Sequence, residues 1–100
     1  AQLDEQTLGF LLTEKLNYYA QEFARDPSNF IPLERLQRII KCSEYFPRYF
    51  NSYQAQVVIW QVGHSPYYRQ QREKSEQGDP QSQQWIDILH QLAHHLRVRI

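Results

Sequence analysis

The sequence predicts an all-α fold, a compact bundle of four to five helices around a central charge-free helix at about residues 48–62, and three observations carry that prediction. Apolar residues recur at three- and four-residue steps along most of the chain, which at about 100° per residue gathers them on one side of a helix. Proline and glycine stand where helices begin or end, in Asp26-Pro27, Pro32, Pro47, Gly63, Ser65-Pro66 and Asp79-Pro80. The stretch from Tyr49 to Tyr68 holds no Asp, Glu, Lys or Arg although charged residues make up 22% of the chain. A helix that is apolar all round is a buried one, so this stretch reads as the centre of the fold.

The first helix is expected from about residue 5 to Ala24. Leu8, Leu11, Leu12, Leu16, Tyr18, Tyr19 and Phe23 form its apolar side, Asp4 is its N-cap with Thr7 three places on, and Asp26-Pro27 ends it. Phe10 falls opposite that side, near Leu3, and these two are the first candidates for contact with a partner. Asp26 to Asn29 reads as a loop. Pro32 suits the first turn of a second helix, where its missing N–H is not needed, and Leu33, Leu36, Ile39, Ile40 and Phe46 form the buried side of that helix.

Pro47 disfavours helical geometry at the residue before it, which puts a break there and the start of the third helix at Pro47 or Arg48. Tyr49, Phe50, Tyr53, Val57 and Trp60 make one face of that helix, expected to meet the first and last helices, and Val58, Ile59 and Val62 make much of the reverse. The run from Gln56 to Val62 is rich in β-formers, but the chain offers no second strand to satisfy its backbone, so helix is the expectation. Gly63 is a natural helix stop. Ser65-Pro66 opens a short fourth helix over Tyr67 to about Glu76, at a corner where His64, Tyr67, Tyr68 and Arg69 are expected to surface as partner-binding groups. The polar stretch at about 75–84 reads as a mobile loop. Asp79-Pro80 then starts the last helix, with Trp85, Ile86, Ile88, Leu89, Leu92, Ala93 and Leu96 inward and Asp87, His90, Gln91, His94 and Arg97 outward.

One hundred residues suit a single helical domain with one hydrophobic core, and seven Tyr, five Phe and two Trp supply much of what that core needs. Net charge is zero, which removes the electrostatic footprint of a strong nucleic-acid or anionic-membrane binder. The charge is uneven along the chain: residues 1–30 are net acidic and residues 31–75 net basic, an asymmetry that suits attraction between the halves or between two copies. Cys42 is the single cysteine, so no internal disulfide forms and the paired-cysteine zinc and redox patterns are absent. Without a signal-like segment or a membrane-spanning run, the expected setting is reducing and cytoplasmic.

Patterns that carry chemistry are weak. Asp87, His90 and His94 are spaced to share one exposed helix face, and two imidazoles four apart can reach one divalent ion, which makes a metal-binding bundle one alternative. Arg35, Arg38, Lys41, Arg48, Arg69 and Arg72 make a nucleic-acid adaptor another, though a solvated polar face interleaved with Glu34 and Glu44 is the favoured account of the cations of the second helix. The run Leu92-Ala-His-His-Leu-Arg resembles the phosphorylated helix of histidine phosphotransfer domains over six residues, but Val98 and Arg99 stand where that family carries small ones. No nucleophile elbow appears, and Gly9, Gly63 and Gly78 are each isolated, so no phosphate-cradling loop forms. The expectation is therefore a protein that is not an enzyme and holds no cofactor. It is a small interaction or regulatory module, acting on a protein partner or as a homodimer.

Overall fold

In a computed structural model, described over residues 4–45 and 47–100, the chain forms five α-helices joined by short turns, with no strand among the described residues. They are α1 (Glu5–Arg25), α2 (Phe30–Ser43), α3 (Tyr53–Gly63), α4 (Pro66–Glu76) and α5 (Pro80–Leu96), with a 3-10 turn at Pro47–Tyr49 between α2 and α3. The expected all-α bundle stands. No helix among the described residues is long and apolar enough to cross a membrane. Leu3 and Phe46 lie outside the described residues.

Local chemistry sets most of the boundaries. The Asp4 carboxylate accepts the Thr7 backbone N–H at 2.7 Å and starts α1, and Asn29 does the same for Ile31 at the head of α2. Ser65 and Asp79 cap α4 and α5, each followed by proline at the first helical position. Two expectations need correction. The third helix does not begin at Pro47 or Arg48: the Asn51 N–H donates to Thr13 Oγ1 on α1 and Asn51 Oδ1 accepts from Tyr53 N–H, so the chain turns at Asn51-Ser52 and α3 starts at Tyr53. The polar stretch 75–84 is not one loop. Only residues 77–79 separate α4 from α5, with Gly78 at φ 95°, while Ser75 bonds Gln83 and buried Ser82 meets both Gln71 and Asp79.

The centre of the core is α5. Its inward side buries Trp85, Ile86, Ile88, Leu89, Leu92, Ala93 and Leu96, and it packs against α4, α2 and α3. Trp85 is 1% exposed, its indole N–H donates to Pro27 O at 2.8 Å, and Phe23, Tyr67 and Tyr68 pack around its ring. Each such aromatic pair adds about 0.5–1.5 kcal/mol to the burial itself. Opposite α5, α1 contributes Leu16, Ala20 and Phe23 and α2 contributes Leu33, Leu36, Ile39 and Ile40. Two members of the expected α1 stripe face water instead: Leu11 is exposed, and Tyr18 stands out with its ring edge-on to Tyr19. Gly9 lets α1 approach the 3-10 turn so closely that a Cβ there would lie 2.6 Å from Tyr49 Cβ and 2.8 Å from its carbonyl oxygen.

The molecule measures 52 × 21 × 21 Å. In so narrow a section each of the five helices keeps exposed residues along one side. That geometry overturns the expected all-round burial of the charge-free helix. Only Ala55, Ile59, Val62 and Gly63 of α3 are buried; the face of Tyr53, Val57 and Trp60 points away from α1 and α5 rather than into them.

Candidate functional site

The outward side of α3 carries three exposed large apolar residues. Tyr53, Val57, Trp60 and His64 follow one another at steps of four, three and four, which aligns them along one line of the helix. Tyr53 is 67% exposed and Trp60 52%, and Tyr49 on the preceding turn is exposed as well. Their orientation is set from behind. Ala55, Ile59 and Val62 occupy the opposite side at the same spacing and lock into the core, so the remaining apolar groups have only water to face. His64 completes the strip: its ring stacks on Trp60 at 4.4 Å between centroids, and its Nδ1–H donates to Trp60 O at 2.8 Å. That bond leaves Nε2 as the ring's outward acceptor.

Beside the strip runs a groove of about 410 Å³ between α3 and the segment that follows α5, lined by Gln56, Val57, Trp60, Arg97, Val98 and Arg99. The segment is held firmly. Val98 N–H reaches back to Ala93 O at 2.8 Å and Arg97 N–H to His94 O at 3.2 Å, the paired bonds of a Schellman stop. Gln56 Nε2 donates to Leu96 O at 2.9 Å, and Ile100 packs so tightly on Gly63 that a Cβ on that glycine would meet it at 2.2 Å. Arg97 occupies the left-handed position of the stop, φ 58° and ψ 43°, where glycine is the usual residue. The groove thus has an apolar floor and a cationic rim, with no carboxylate in its lining.

A larger hollow of about 740 Å³ lies between α2 and α5, and its character is different. Glu34, Arg38 and Lys41 line its α2 side and Asp87 its α5 side, Gln37 bonds Gln91 at 2.7 Å, and Gln83 bonds Asp87 at 2.8 Å. Its charges are mixed in sign and the Gln37, Gln83 and Gln91 amides are already partnered, so it offers an incoming ligand little beyond water exchange.

The residues expected to form sites are distributed as follows. Phe10 is 60% exposed on α1, off the core side as its spacing implies, whereas Leu3 lies outside the described residues. His64 and Arg69 are exposed, but Tyr68 is buried and Tyr67 half-buried, both against Trp85, which corrects the expectation that these tyrosines surface at the corner. Burial, reinforced by the Asp26 carboxylate, raises the Tyr67 phenol pKa and keeps it protonated. Asp87, His90 and His94 do not come together: His90 Nε2 pairs with the Tyr68 hydroxyl at 2.7 Å, Asp87 takes the Gln83 amide, and no three described His, Cys, Asp or Glu residues converge as metal ligands do. The expected cations are all exposed but divided, with Arg35, Arg38 and Lys41 on α2, Arg48 on the 3-10 turn and Arg69 and Arg72 on α4. Arg72 is within 3.6 Å of Glu76. Cys42, the single cysteine, is exposed.

Tyr53, Val57, Trp60, Arg97 and Arg99 were not among the expected site residues. Their signal is the charge-free helix itself, which a chain of this length cannot cover on every side. No family model matches the chain, and neither a curated protein nor a solved structure matches it, so the six-residue likeness to phosphotransfer domains gains no support and function rests on the geometry alone.

Proposed function

We propose that the protein is a non-catalytic interaction module that holds a partner protein on the outward face of α3. The observation that carries this is the exposed line of Tyr53, Val57 and Trp60 on a helix without a single charge. With about 150–250 Å² per aromatic side chain, the exposed fractions of Tyr49, Tyr53, Val57 and Trp60 amount to about 400 Å² of accessible surface. Largest patches of about that size on a soluble chain are often functional. The groove presents carbon and guanidinium, which are neither acids, bases nor nucleophiles at neutral pH, so the role is recognition rather than chemistry.

The same area weighs against a permanent homodimer. Stable complexes bury about 800 Å² on each partner, roughly twice what this strip offers, so a transient complex with a smaller element fits better. A reducing, cytoplasmic setting belongs to the proposal and is supported by Cys42, a lone exposed thiol. The test is site-specific photocrosslinking from position 57 in cells of the native host. One partner band that disappears in a Tyr53→Ser/Trp60→Ser variant is the expected result; bands unchanged by that variant, or crosslinking no stronger than from exposed Gln21 on α1, would sink the proposal.

A further inference from the structure

We propose that the groove between α3 and residues 97–100 binds an acidic amphipathic helix, its apolar side on Val57, Trp60 and Val98 and its carboxylates on Arg97 and Arg99, an assignment that rests on α3 being the docking face. Three observations select this occupant. The first is charge: the lining contains two arginines and no carboxylate, and neither arginine is ion-paired among the described residues. The second is shape. A straight strip of side chains at steps of four, three and four accepts the ridge of one helix, whose own anchors recur at the same spacing, and its area matches one helix rather than a folded domain.

The third is backbone conformation. Arg97 sits at φ 58°, a left-handed conformation that is disfavoured for a residue with a Cβ. A guanidinium kept at a position where glycine would fold more easily is a departure from local preference, and such departures gather at sites of function. Single-stranded nucleic acid fits less well. A strand stacked along Tyr53 and Trp60 would run beside a helix with no cation on it, and only the two arginines at one end would meet its phosphates.

The experiment uses the full chain and two synthetic peptides of about 16 residues, enough for about four helical turns. They share Leu and Phe at helical spacing and differ only in carrying Glu or Lys elsewhere; a labelled oligothymidine is the third probe. Fluorescence anisotropy of each probe is measured with the wild type, Trp60→Ala, Arg97→Glu/Arg99→Glu and Arg97→Gly, with circular dichroism confirming that each variant is folded. The acidic peptide should bind about tenfold or more tightly than the basic one, a gap of about 1.4 kcal/mol. The preference should invert in the double glutamate variant, and Trp60→Ala should weaken both peptides. Arg97→Gly, which leaves the fold at least as stable, should weaken only the acidic one. Equal binding of both peptides would overturn the acidic assignment while leaving α3 as a docking face, whereas binding of neither would remove both. Tighter binding of the oligonucleotide than of either peptide would also overturn it.

Discussion

Arg97→Gly should make the protein more stable, which is an unusual expectation for a substitution that deletes a whole side chain. The left-handed conformation of Arg97 costs about 1–2 kcal/mol because its Cβ crowds the following carbonyl, and glycine abolishes that cost. Against the gain stands the greater freedom of glycine in the unfolded chain, worth about 0.5–1 kcal/mol. The side chain itself is exposed and has no ion-pair partner among the described residues, so its removal subtracts little. The balance is a stabilisation of about 0.5–1 kcal/mol. For a chain of this length that corresponds to a Tm rise of about 2–8 °C. In urea, with a slope of about 1–3 kcal/mol per molar, the midpoint should move up by about 0.2–1 M at unchanged slope. Arg97→Ala separates the two contributions: it removes the guanidinium but keeps the Cβ, and its midpoint should stay close to that of the wild type. Equal midpoints for Arg97→Gly and Arg97→Ala would refute the reasoning, because the conformational cost would then be no larger than the freedom glycine adds to the unfolded chain.

Gly9→Ala should destabilise by about 1–2 kcal/mol in the same assay, because overpacking against the Tyr49 backbone outweighs the better helix propensity of alanine; a rise in midpoint would contradict the close approach of α1 to the 3-10 turn. Neighbours on α3 should part company: Ile59→Ala, at a site with no exposure, should cost about 2–5 kcal/mol, and Trp60→Ala less than half as much, by urea denaturation followed in far-UV dichroism. Trp85→Phe should cost about 1–3 kcal/mol, since it leaves Pro27 O without its donor and a void among Phe23, Tyr67 and Tyr68; near-UV dichroism should lose intensity with it. Asp4 has its carboxylate pKa lowered by the hydrogen bond from the Thr7 backbone. Its cap therefore contributes stability above the ordinary aspartate pKa and loses it as pH falls through the lowered native value, so Asp4→Asn, which keeps an acceptor but not the charge, should lower stability at neutral pH and flatten the profile in that acid window, as read by thermal melts.

Much of the fold was legible because helix ends are chemically explicit. Asp4, Asp26-Pro27, Ser65-Pro66 and Asp79-Pro80 each satisfy or remove a backbone N–H at a defined place, and the helices start or stop there. The stretch 75–84 was misjudged for the converse reason: its polar composition suggested a loop, although Gly78 and Asp79 are a sufficient stop and start by themselves. The direction of α3 was illegible from periodicity, because a helix apolar on all sides has no preferred face. A finer signal was present in the small residues. Ala55 and Gly63 lie two turns apart on the side of Ile59 and Val62, and small residues mark where another chain segment approaches closely, as Ile100 does at Gly63. The candidate groove could not be read at all before the fold, since Trp60 and Arg97 are separated in sequence and meet only because α5 turns back on α3 after a left-handed stop.

Where the binding face sits follows from how the helices divide the core. The α5 helix, with Trp85 at its centre and three neighbours around it, cannot change its surface without changing stability. On α3, Ala55, Ile59 and Val62 fix the backbone while Tyr53, Val57 and Trp60 remain free to vary, so affinity and stability are carried by different residues of one helix. A helix face fixed from behind also keeps its side chains at defined spacing, which reduces the ordering that binding would otherwise require. Arg97 is the exception that couples the two properties. It belongs to the helix stop and to the groove rim at once, and glycine there should raise the melting temperature while it weakens the acidic peptide. A substitution that moves stability and binding in opposite directions is what a strained residue retained for recognition requires. If both fell together, Arg97 would be an ordinary structural residue, and the guanidinium would have no part in what α3 holds.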